Sequence, residues 1–132
     1  MKRKLNFEIG LLVAAVVLVS FALQGCTTAR IVNLKKSIGT GGSQHTTQEV
    51  KEAILKACAE LGWNAAEEEA GLIKASLDIR THRAEVEIPY TSSSYSINYF
   101  DSRNLKHSGD WIHKNYNLWT AYLSNAIDRN LR

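Results

Sequence analysis

Residues 71–90 read GLIKASLDIRTHRAEVEIPY, and the alternation in that stretch decides the fold class. Ile73, Ala75, Leu77 and Ile79 point one way, while Lys74, Ser76, Asp78 and Arg80 point the other. After a turn near Thr81-His82 the period resumes, with Ala84, Val86 and Ile88 set against Arg83, Glu85 and Glu87. A period of two puts successive side chains on opposite faces of a strand. The stretch therefore reads as two antiparallel strands with one covered face and one wet face. The turn lacks Asn-Gly or Asp-Gly, which leaves the register open. Mixed signs on the wet face favour mutual pairing over a ligand field of one sign.

Further strands flank this pair. Beyond TSSS, Tyr95, Ile97 and Tyr99 alternate with Ser96 and Asn98, and WNAAEEEA precedes Gly71. The count is four strands joined by short turns, an antiparallel meander. The covered face needs helices, and one stands on each side. Thr46-Thr47-Gln48-Glu49 has capping-box spacing. Val50, Ala53, Ile54, Ala57, Cys58 and Leu61 then recur on one face as far as Gly62, a C-cap candidate. Cys58, on that apolar face, reads as a small buried hydrophobe. A last helix is expected from about Trp111 to the C-terminus, with Asp110 as N-cap. Its main stripe is Ile112, Tyr116, Trp119, Leu123, Ile127 and Leu131, and a second runs through Trp111, Leu118 and Tyr122. The expected architecture is α+β: a two-layer sandwich in the order α-β-β-β-β-α, both helices on one face of a four-stranded sheet. An extra N-terminal edge strand in ARIVNL (29–34) would add to it.

The N-terminus carries an address. Lys2, Arg3 and Lys4 precede an apolar run from Ile9 to Leu23, the layout of a secretory signal. The run is short of the roughly 20 apolar residues that span a bilayer, and Ser20 interrupts it. Leu23-Gln24-Gly25-Cys26 resembles the bacterial lipobox, although Gln24 departs from the usual small residue. That resemblance implies acylation of Cys26 and cleavage before it. Thr27, rather than an Asp, in the next position implies the outer membrane. Residues 1–25 are then a removed signal, 26–45 a lipidated tether containing the Gly-rich SIGTGGSQ, and 46–132 the α+β domain. Of 16 Lys/Arg and 13 Asp/Glu, Lys2, Arg3, Lys4 and Glu8 leave with the signal. The remainder is nearly neutral and has no electrostatic footprint for nucleic acid.

From Leu61 to Trp119 the segments LGW, GLIKASLDIRTHRAEVEIPY, YSINYFDSRNL and IHKNYNLW resemble a family of small, uncharacterised lipoproteins of Gram-negative bacteria. The resemblance implies an α+β domain at the cell envelope and no established activity.

Chemistry-bearing residues are sparse. His45, His82, His107 and His113 lack the close paired spacing of zinc ligands. Glu67, Glu68 and Glu69 alternate faces along a strand and cannot converge on one cation. No metal or cofactor is expected. Asp101, Ser102, Asn104, His113 and Asn117 form a candidate polar cluster where a strand end meets the start of the last helix. A structural network is its simplest role. A hydrolase built on Ser102 would need a nucleophile turn and an oxyanion hole, and DSR lacks the glycine frame of G-x-S-x-G. The leading expectation is an outer-membrane-anchored, non-catalytic binding module on the periplasmic side. It would be held to the membrane by lipid on Cys26 and would meet an envelope protein or cell-wall component through Trp111, Leu118 and Tyr122. The alternative is a binder of a small ligand or cell-wall fragment in a cleft near Asp101, Asn104 and His113.

Overall fold

Local patterning becomes structure almost residue for residue in the middle of the chain. The computed structural model describes residues 25–39 and 44–132. The expected signal apart from Gly25, including Leu23 and Gln24, lies outside these residues, as does part of the Gly-rich connection. Helix α1 spans Thr47–Glu60. Thr46 Oγ1 accepts from the Glu49 amide, and the Glu49 carboxylate accepts from the Thr46 amide, which closes the capping box. Those bonds hold the Glu49 carboxyl below the usual carboxylate range. Gly62, at φ 79°, takes the left-handed position past the helix end.

Strands β3 (Asn64–Glu69), β4 (Leu72–Ile79), β5 (His82–Pro89) and β6 (Ser94–Arg103) follow as an antiparallel meander. The open register is set by pairs such as Ile73 with Ile88, Ala75 with Val86 and Leu77 with Ala84 on one face. Lys74 with Glu87 and Asp78 with Arg83 oppose each other on the other. Both of these charged pairs form ion pairs, so the wet face neutralises itself as its mixed signs suggest. Arg80 is not part of that face. It occupies the hairpin turn at φ 56°, a left-handed conformation that costs a non-glycine residue about 1 kcal/mol or more.

The sheet has five strands, not four. β2 (Leu34–Ser37) joins the free side of β6, giving the order β2-β6-β5-β4-β3 with every neighbour antiparallel. This is the N-terminal edge strand, but it starts at the end of ARIVNL rather than filling it. Thr28–Arg30 forms a separate strand, β1, paired antiparallel with β7 (Trp111–His113) in a two-stranded ribbon. Residues 31–33 cross from one sheet to the other. At the crossing, the Asn33 side chain accepts from the Tyr99 amide (2.9 Å). Lys35 and Lys36 make β2 a short, charged edge, which discourages pairing with another chain, and Lys36 reaches Asp128 at 3.3 Å.

The last helix is correspondingly shorter than expected. α2 spans Asn115–Asn130, and Trp111 belongs to β7. Asp110 is not its N-cap; its carbonyl accepts from the Ile31 amide (2.8 Å) in the ribbon. Lys114 takes the cap position with no side-chain cap bond. Ribbon pairing wins here because the Trp111–His113 backbone gains a complete ladder with residues 28–30 that a first helical turn could not offer.

Buried strand residues and the buried faces of both helices form one cluster. It includes Val50, Ile54 and Cys58 of α1, Ile73, Val86, Ile88, Tyr95 and Ile97 of the sheet, and Tyr116, Leu123 and Ile127 of α2. The expected stripe is buried at Ile112, Tyr116, Leu123 and Ile127, and half-buried at Trp119 and Leu131. Among the described residues the fold is α+β, with two helices, a five-stranded antiparallel sheet and a two-stranded ribbon. Among the described residues no helix is long and apolar enough to cross a membrane.

Candidate functional site

Cys26 is exposed and its thiol is free. The residue after it is already fastened to the body: the Thr27 carbonyl accepts from the Lys114 amide (3.0 Å) and its hydroxyl from Lys106 Nζ (3.1 Å). Ribbon pairing then matches Thr28 with His113, Ala29 with Ile112 and Arg30 with Trp111. From α2, Asn117 Nδ2 donates to the Arg30 carbonyl (2.7 Å) and its Oδ1 accepts from the Val32 amide (3.1 Å). Part of what reads as tether in the sequence is therefore built into the fold. The other cysteine, Cys58, is fully buried, and burial pushes its thiol up to about 12.

The five residues of the polar cluster go to separate partners. Asp101 Oδ1 accepts from the neighbouring Ser102 amide (2.7 Å), and the Ser102 hydroxyl lies 2.9 Å from that of Tyr99. Asn104, in the left-handed region at φ 55°, donates through Nδ2 to the Thr81 hydroxyl (2.7 Å). Its carbonyl accepts from His82 Nδ1, so one residue braces the β5 side of the strained β4–β5 turn through both its side chain and its backbone. His113 is not on the last helix but in β7, and its Nδ1 accepts from the Asn115 amide (3.2 Å). Burial, with Lys106, His82 and Lys114 nearby, holds its imidazole below the usual range. A neutral ring whose Nδ1 accepts carries its proton on Nε2. Asn117 serves the N-terminal segment instead. Apart from Asp101 with Ser102, no hydrogen bond among the described residues joins two members of the set. None of these contacts gives Ser102 a histidine partner. Among the described residues no group of three or more His, Cys, Asp or Glu is placed to hold a metal ion.

Trp111, Leu118 and Tyr122 are 46%, 46% and 53% exposed. Leu118 and Tyr122 stand one turn apart on α2, which puts them on one face. Trp111, on the ribbon, carries the Arg30 guanidinium 5.3 Å from its ring centre. A further aromatic escapes a reading by periodicity. Phe100 is 48% exposed on the wet sheet face, with Lys74 Nζ 4.6 Å from its ring centre. It is the extra residue of a bulge, since Glu85 pairs with Asp101 and Val86 with Tyr99. A shallow groove of about 250 Å³ passes it, lined also by Asn64, Ala66, Ser76 and Glu85. The adjacent aromatics Tyr99-Phe100 were its signal, because two neighbours on a strand cannot both face the core. A second groove of about 340 Å³ is lined by Arg30, Asn33, Tyr99, His107 and Asp110, and by none of Asp101, Asn104 and His113.

No protein-family model matches the chain, and no curated protein matches it.

Proposed function

We propose that the protein is a lipoprotein of a Gram-negative bacterium, acylated at Cys26. It is anchored on the periplasmic side of the outer membrane, and its body is a non-catalytic binding module. One observation carries the reading: the cysteine that ends the lipobox-like Leu23-Gln24-Gly25-Cys26 is exposed at the margin of the folded body. Acylation there requires an accessible thiol, and two or more acyl chains hold a protein stably at a bilayer. The likeness to small envelope lipoproteins agrees with this setting.

The binding surface is Leu118 with Tyr122 on α2, and its partner is another envelope protein or a cell-wall component. Two large apolar side chains on one exposed helical face suit docking, where aromatic residues are enriched. The non-catalytic reading is supported by the polar residues, whose hydrogen bonds go to turns, strand ends and the N-terminal segment. Intact mass of protein extracted from membranes tests the anchor: residues 1–25 are absent and acyl mass is added. Photo-cross-linking from positions 118 and 122 in intact envelopes tests the module. Capture of one species, abolished by Leu118→Ser with Tyr122→Ser, supports it, and a freely soluble protein with its original Met1 overturns the anchor.

A further inference from the structure

Only Thr27 separates Cys26 from the first ribbon strand, and this spacing decides which face of the body meets the bilayer. Two Cα steps of about 3.8 Å place Cys26 within about 8 Å of Thr28. The polar layer on each side of a hydrocarbon core is of similar depth, about 5–8 Å. A free tether reaching residue 45 would instead let the body wander by about 25 Å. Lys106 and Lys114 both hold Thr27, so the spacing is kept short by hydrogen bonds as well as by chain length.

The ribbon is furnished for that layer. Trp111 is 46% exposed and stacks under Arg30, and tryptophan is enriched where a bilayer meets water. Arg30 beside it, and Lys106 and Lys114 at the Thr27 end of the ribbon, are exposed, against one exposed carboxylate in the ribbon turn, Asp110, 3.6 Å from Arg30. The local surplus is cationic although the whole body is close to neutral, and cations beside a bilayer are drawn to anionic lipid. Resting on the acylation of Cys26 set out above, we propose that the β1–β7 ribbon is a membrane-contacting surface. It lies in the phospholipid headgroup layer, with Trp111 at the interface and Arg30, Lys106 and Lys114 against lipid phosphates. The body then stands in a fixed orientation, and Trp111 serves the bilayer while Leu118 and Tyr122 serve the partner.

The test uses acylated full-length product, its acyl mass first verified, in vesicles of phosphatidylethanolamine and phosphatidylglycerol (about 3:1, an anionic surface). Part of the lipid is brominated on the acyl chain near the glycerol. Tryptophan emission is compared for the wild type and Trp111→Phe, whose melting temperature reports that it folds. Trp63 is buried and Trp119 half-buried. The wild type should therefore lose about a third of its emission to the brominated lipid, the share of one tryptophan in three, and Trp111→Phe almost none. Equal quenching of both, or quenching of neither, in verified acylated protein overturns the ribbon as the contact and leaves the anchor standing. A benzoylphenylalanine at position 111 that captures a protein in native envelopes, with no quenching by lipid, overturns it likewise. Absence of acyl mass removes the anchor and this orientation together.

Discussion

Two tyrosines in the same core should respond to the same chemical edit with opposite signs. Tyr95 and Tyr116 are both buried, at 1% and 0% exposure. The Tyr95 hydroxyl donates to Asp128 Oδ1 at 2.6 Å and lies 2.8 Å from the Ser124 hydroxyl. Among the described residues the Tyr116 hydroxyl has no hydrogen-bond partner, and its ring meets Tyr99 edge-on at 5.5 Å. Hydrogen bonds to charged groups contribute about 1.5–3 kcal/mol, so Tyr95→Phe should cost about 2 kcal/mol. Burying a hydroxyl with no partner costs about 1–3 kcal/mol. The void left by one oxygen, about 10 Å³, returns only about 0.2 kcal/mol of penalty. Tyr116→Phe should therefore stabilise by about 1 kcal/mol. At about 5 °C per kcal/mol for a domain of this size, Tm falls by about 10 °C in the first variant and rises by about 5 °C in the second. Scanning calorimetry of residues 26–132 carrying Cys26→Ser measures both. A Tyr116→Phe variant that melts below its parent refutes the reasoning, because it shows a bonded hydroxyl.

Burial lifts the Cys58 thiol from an ordinary 9.0 to about 12, so the folded state favours the protonated form. The associated stability is complete below pH 9 and is lost as pH climbs toward 12; urea titrations across that range should show a decline that is shallower in Cys58→Ala. At pH 8, iodoacetamide should label Cys58 only after unfolding, and rapid labelling of native protein would contradict its burial. Asn104→Ala should lower Tm by about 5 °C or more, through loss of the Thr81 bond and an unfavourable left-handed alanine, and Asn104→Gly should recover part of that loss. Asn117→Ala removes both clamps on residues 30–32; hydrogen exchange should show the Val32 amide exchanging at least about tenfold faster, the equivalent of about 1.4 kcal/mol, with the β4–β5 amides unchanged.

What the sequence by itself determined is everything governed by neighbours within about four residues. The capping box at Thr46 and Glu49, the period-two faces of residues 72–89 and the buried helical stripe from Tyr116 to Ile127 follow from backbone geometry, which any chain with those residues obeys. Of the candidate site, the same local rules made Leu118 and Tyr122 legible as a face of one helix. Only the tertiary structure decided features whose partners lie far off along the chain. Trp111 fits a helical period, yet it joins a strand because Arg30 lies opposite it. Asn117 looked like part of a pocket with His113, yet it clamps Arg30 and Val32, 87 and 85 residues away. The bulge at Phe100 arises from the register with β5, and the left-handed turn at Arg80 is braced by Asn104. A hydrogen-bond ladder or clamp gains its free energy only once both strands are present, and no local period records which distant segment will supply the second.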